Sequence, residues 1–109
     1  MSDRLIKIEK LLSVEVAKII KEEIETQESI VVTIVRAKVS RTLEHATIFI
    51  SILPEPRTEE IFAKINKQIY FIQQRLNKKL FMHPVPKIRF ELDTSEEQAE
   101  KITKLIEKL

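Results

Sequence analysis

Two rhythms of apolar positions run along this chain, one of period two and one of helical spacing. Between Ile30 and Leu53, two apolar runs flank the polar turn Ser40-Arg41-Thr42-Leu43-Glu44-His45, the pattern of a β-hairpin. In the first arm Val31, Thr33, Val35, Ala37 and Val39 share a face; in the second Ala46, Ile48, Ile50 and Ile52 do so, as half-buried strands require. Ile30, Val32 and Ile34 occupy the other face of the first arm before it turns polar at Arg36 and Lys38. The start of that strand is therefore expected to be covered on both sides.

Helical spacing dominates elsewhere. From Asp3 to about Glu25, Leu5, Ile8, Leu12, Val16 and Ile19 form a stripe widened by Ile20 and Ile24, predicting an amphipathic helix packed on the hairpin. Arg4, Lys7, Lys10, Lys18 and Lys21 share the opposite arc with Leu11 and Val14 among them, either a solvated face or a second strip of contacts. Pro54-Glu55-Pro56 ends the second arm, because proline cannot donate to a strand ladder. Thr58 is expected to cap a helix with Glu59 and Glu60 at its positive end.

Ile61, Ile65, Ile69, Ile72, Leu76 and Leu80 then hold helical phase for longer than one straight helix fits a domain of this size, which predicts a bend between Asn66 and Tyr70. Tyr70 and Phe71 are expected to pack around it, with base stacking as the alternative for Phe71. Phe62, Phe81 and Phe90 are expected in the core. Ile88, Phe90 and Leu92 alternate with Lys87, Arg89 and Glu91 as a third strand, and Ala99, Ile102, Ile106 and Leu109 mark a C-terminal helix capped near Thr94 or Ser95. The order α-β-β-α-α-β-α predicts one α+β domain over residues 1–109, a three-stranded sheet with helices on one face.

Composition excludes several functions. With no cysteine and two histidines among 109 residues, disulfides and thiolate metal sites are ruled out, and neither a metal nor a cofactor is expected. The complete absence of glycine excludes a P-loop, a dinucleotide fingerprint and the Gly-x-x-Gly loop of KH domains, all of which need φ > 0 or close backbone approach. Any phosphate contact must come mainly from side chains. No secretory signal pattern is present and no apolar run approaches the roughly 18 residues of a membrane span, so a soluble, cytoplasmic protein is the expectation. No nucleophile, base and orienting group converge, and no enzyme activity is expected.

Net charge is only +2, but it is segregated. Between Ala63 and Arg89 there is no acidic residue, whereas Lys64, Lys67, Arg75, Lys78, Lys79, Lys87 and Arg89 all fall there. On a helical wheel Lys64, Lys67, Arg75 and Lys78 span about 80°, with Lys79 just beyond. Solvated helices usually mix acids with their lysines. This arc is thus a candidate phosphate-contacting surface on RNA, against the plain alternative of a solubilising face. Arg36, Lys38 and Arg41 form a smaller basic strip on the hairpin, and His45 in the turn is read as structural or exposed.

Two blocks carry a family resemblance. Val39-Ser40-Arg41-Thr42-Leu43-Glu44-His45-Ala46, leading through Ile48 and Ile50 to Ser51, resembles the Val-Ser-x-x-Leu-x-x-Ala turn of the ribosome-binding factor A family, bacterial small-subunit assembly factors. Val85-Pro86 with Phe90, Asp93 and Ser95 resembles its Val-Pro-x-x-x-Phe-x-x-Asp-x-Ser. The resemblance implies a type II KH-like fold, binding to rRNA of immature small ribosomal subunits during late maturation and rRNA processing, and release helped by a ribosome-assembly GTPase. A monomer with no membrane association is expected.

The sequence departs from that pattern at three places. Gln68-Ile69-Tyr70 stands where the family has an Ala-x-Gly kink, Gln73 where an arginine commonly follows it, and His83 where the resemblance places another basic side chain. The expected function is accordingly an RNA-binding assembly factor that favours one rRNA arrangement by differential affinity. Its expected contacts are Lys64, Lys67, Arg75, Lys78, Lys79, His83, Lys87, Arg89, Arg41 and Lys38. The alternative is a protein-interaction module of the same fold with reduced or no RNA binding, using apolar residues of the basic helix face or an exposed sheet edge.

Overall fold

The computed structural model describes residues 2–25 and 29–93, so the C-terminal helix expected from the sequence lies outside the described residues. The elements are α1 (Ser2–Glu23), β1 (Val31–Val39), β2 (His45–Leu53), α2 (Thr58–Lys67), α3 (Ile69–Lys79) and β3 (Lys87–Leu92), with a 3-10 turn over Glu55–Arg57. β2 is the central strand, antiparallel to β1 and parallel to β3. Parallel pairing needs a crossover connection, which the α2–α3 pair supplies.

The helices cover one face of the sheet. Ala46, Ile48, Ile50 and Ile52 of β2 are buried against Leu12, Val16, Ile19 and Ile20 of α1, Ile61 and Ile65 of α2, and Ile72 and Leu76 of α3, within one core. Each fully buried aliphatic side chain of this kind stabilises the fold by about 1.5–3 kcal/mol. β3 adds Ile88 and Phe90 to the same core.

β1 departs from the simple alternation. Its register shifts between Ile34 and Arg36, so Ile34 faces Ile50 and Arg36 faces Phe49 while Val35 is the extra residue of a bulge. Before the bulge Val32 points inward and Val31 and Thr33 are exposed; after it Ala37 and Val39 point inward. The strand is thus covered on one side throughout. The apparent second apolar face, and the placing of Val31, Thr33 and Val35 with Ala37 and Val39, both come from the phase change.

Some outward backbone groups of both edge strands are engaged by side chains, from Glu9 of α1, Glu25 just beyond it and Gln73 of α3. Glu9 and Glu25 accept hydrogen bonds from the backbone N–H groups of Val39 and Val32, each at 2.8 Å. On the other edge Gln73 accepts from Ile88 N–H at 2.8 Å. These contacts occupy three of the ladder positions through which an exposed strand would pair with another chain.

Candidate nucleic-acid interface

The bend predicted between Asn66 and Tyr70 falls at Gln68, whose φ of −100° and ψ of 8° are accessible without glycine. Its N–H donates to the Ile65 carbonyl at 3.0 Å, and its own carbonyl accepts from Ile72 N–H at 2.9 Å, so one ladder closes as the next begins. The α2 side of this kink carries Lys64, half-buried, and Lys67, exposed. At the far end of α3, Lys78 and Lys79 are exposed. The kink therefore divides what the helical wheel shows as one arc.

Arg75 is engaged elsewhere. Its guanidinium pairs with Glu22 at 2.8 Å and also with Glu23, both on α1, and its side chain is 28% exposed. Lys79 lies 3.9 Å from the carboxylate of Glu15 on the same helix. The two acids of the α1 C-terminal turn thus clamp α3 as well as polarising the chain.

The remaining expected contacts occupy two further places. His83 is exposed in the loop between α3 and β3, where the His83–Pro84 peptide is cis. Lys38, Lys87 and Arg89 are exposed on the sheet face that the described helices α1–α3 leave open, and Arg41 is exposed in the adjoining turn. The structure therefore brings the ten residues into no single patch. Phe49 is not singled out by the sequence pattern, although its phase, opposite to Ile48 and Ile50, is the signal for an outward aromatic.

Several expected placements are corrected. Tyr70 and Phe71 do not pack around the bend: they are 75% and 45% exposed, because Ile65, Ile69 and Ile72 fill that side. Phe81 is fully exposed and lies outside the core, since the backbone turns extended at Leu80 (φ −93°, ψ 141°). Thr58 is the first residue of α2 and does not cap it; its hydroxyl donates to the Glu55 carbonyl at 2.7 Å. A shallow trough of about 850 Å³ opens between α1 and the end of α3, its apolar floor including Leu11, Leu80, Phe81 and Met82 and its rim carrying both cations and the acids Asp3 and Glu15.

The family model of ribosome-binding factor A matches residues 4–106. The chain belongs to the ribosome-binding factor A family. Ribosome-binding factor A from Nitrosococcus oceani is 29% identical over 94% of this chain and 81% of its own length, and that from Pseudomonas fluorescens is 31% identical over 86% and 73%. The crystal structure of ribosome-binding factor A from Thermus thermophilus shares the fold, with a TM-score of 0.65 at 15% identity over 79% of this chain and 92% of that one. The family assigns the chain a ribosome-associated role in ribosome biogenesis on a KH-like α+β fold. It is a family of ribosome-binding factors and not a known family of enzymes. Among the described residues, no helix is long and apolar enough to cross a membrane.

Proposed function

We propose that this protein binds small-subunit rRNA on immature small ribosomal subunits and assists late maturation, including rRNA processing, without catalysis of its own. It favours one rRNA arrangement because it binds that arrangement more tightly than the alternatives. A ribosome-assembly GTPase is the proposed partner in its release. The observation that carries this reading is the acid-free run from Ala63 to Arg89 together with the exposure of Lys67, Lys78 and Lys79 on the kinked helix pair. In that arrangement lysines supply salt-sensitive affinity, while the shape of the rRNA site supplies specificity.

Co-sedimentation with immature and mature small subunits at two salt concentrations tests it, beside a variant carrying Lys64→Glu, Lys67→Glu and Lys78→Glu whose folding is checked by circular dichroism. Preferential pelleting with immature subunits, lost in high salt and in the variant, is the expected result. The exposed trough beside Phe81 favours one other reading, a protein-binding module with weak RNA contact. Absence of wild-type binding to either subunit form would select that reading.

A further inference from the structure

We propose that the sheet face opposite α1–α3, open among the described residues, is a second nucleic-acid surface, one that takes single-stranded RNA by stacking a base on the Arg36–Phe49 pair. This rests on the reading that the chain binds RNA, but it places a contact on the side of the molecule opposite to the helices.

The side chains that alternate away from the core form rows across the strands. His45 and Lys87 are partners in register; Lys38, Thr47 and Arg89 form the next row; Arg36, Phe49 and Glu91 form the third. At about 3.3 Å per residue, successive rows lie about 7 Å apart. Arg36, Lys38, Lys87 and Arg89 are exposed there, against Glu91 as the acid of these rows. Arg89 is already oriented: its Nε donates to the Thr47 hydroxyl at 3.3 Å and its guanidinium also pairs with Glu91.

The third row distinguishes this face from a merely basic surface. The guanidinium carbon of Arg36 lies 4.4 Å from the centroid of the Phe49 ring, so the ring holds the cation over its face while the side chain stays accessible to solvent. Arginine planes and aromatic rings are the groups on which unstacked bases lie. Lys38, one row away, and Lys87, in the row beyond, are placed for the flanking phosphates, while Arg89 is engaged by Glu91. A duplex keeps its base faces stacked internally and offers this pair only phosphates. Single-stranded RNA supplies both the base plane and the charge. Because α1–α3 lie on the other side of the sheet, this surface is separate from the lysines of the kinked helix pair.

Fluorescence anisotropy tests this with a labelled, unstructured oligoribonucleotide of about ten nucleotides and with the same strand annealed to its complement. The wild type is expected to prefer the single strand. Arg36→Lys keeps the charge and removes the plane, and Phe49→Leu keeps apolar volume and removes the ring; each should weaken single-strand binding about tenfold while circular dichroism stays unchanged. Lys38→Glu with Lys87→Glu should weaken both RNA forms. Wild-type affinity in Arg36→Lys and Phe49→Leu overturns the proposal, as does displacement by poly-glutamate that is equally sensitive to Arg36→Lys, which would mark an acidic protein site. If the sheet variants lose the oligonucleotide while the helix-lysine variant still pellets with immature subunits, the helix site fails and this one stands. A wild type that binds no RNA of either form overturns both.

Discussion

Gln73 on α3 accepts a hydrogen bond from the backbone N–H of Ile88 on β3 at 2.8 Å and donates to the Pro86 carbonyl at 3.1 Å. Its other amide hydrogen is directed at Asn77, 3.1 Å away, which fixes the orientation of the group. One side chain thereby satisfies both a donor and an acceptor on the edge of the sheet. Gln73→Ala leaves both part-buried groups without partners and is expected to cost about 1–3 kcal/mol. Gln73→Arg, the residue type that the family resemblance favours here, can donate to Pro86 but cannot accept from Ile88. Urea unfolding should place it close to the alanine variant; full wild-type stability would show that the edge does not depend on the acceptor.

The bulge in β1 yields a second expectation. Removing Val35, the unpaired residue between Ile34 and Arg36, leaves Ile34, Ala37 and Val39 in strict alternation with the outward Arg36 and Lys38. Deletion of Val35 should therefore preserve the fold, with a stability change on the order of 1 kcal/mol or less. Deleting Lys38 instead moves Ala37 outward and drives Arg36 into the inward position opposite Ile48. A charged group forced into an apolar core without a partner costs several kcal/mol, so that variant should unfold well below the wild type in thermal melts. Equal melting of the two deletions would contradict the bulge.

What the sequence discloses here depends on whether the cause is local. The central strand is legible from Ala46, Ile48, Ile50 and Ile52, because covered and open faces alternate there without interruption. The kink at Gln68 is legible from the length of the helical run, although no residue type marks it. Val35 misleads because a one-residue bulge has no signature of its own, and a shift of one residue reverses every face upstream. Phe81 misleads because apolar phase continues past the point where the backbone leaves the helix. The Arg75 contacts with Glu22 and Glu23 join residues 53 and 52 positions apart. Pattern cannot show such a pair, so a clamped arginine and an RNA-facing one look alike in the sequence.

Leu43 makes the hairpin turn an exception to the usual ranking of alanine over glycine. Its φ is 63°, in the left-handed region, and its N–H donates to the Ser40 carbonyl at 2.9 Å while its side chain packs against the core. The packing holds a residue with a Cβ where the backbone costs it roughly 1–2 kcal/mol. Leu43→Ala loses the packing and keeps the strain; Leu43→Gly loses the packing and relieves it. The glycine variant should be the more stable by about 1 kcal/mol, the reverse of the order in a strand or helix interior. Chemical denaturation of the two variants measures the difference directly.

The two carboxylates that hold Arg75 separate its expected behaviour from that of Lys67 and Lys78. Each lysine that neutralises a phosphate steepens the salt dependence of binding, by about 0.7 in log–log slope on a single strand and about 0.9 on a duplex of the B form. Lys67→Ala and Lys78→Ala, both at exposed positions, should each flatten the slope by about that amount with little change in stability. Arg75→Gln removes a cation already paired with Glu22 and Glu23. It should leave the slope near the wild-type value and loosen the α1–α3 contact, by about 1 kcal/mol for a pair that solvent still partly screens. Binding titrations to immature subunits across a salt series, beside urea unfolding of the same variants, give both quantities. A flattened slope with unchanged stability in Arg75→Gln would mean that the guanidinium leaves its carboxylates for RNA, and would return Arg75 to the binding surface.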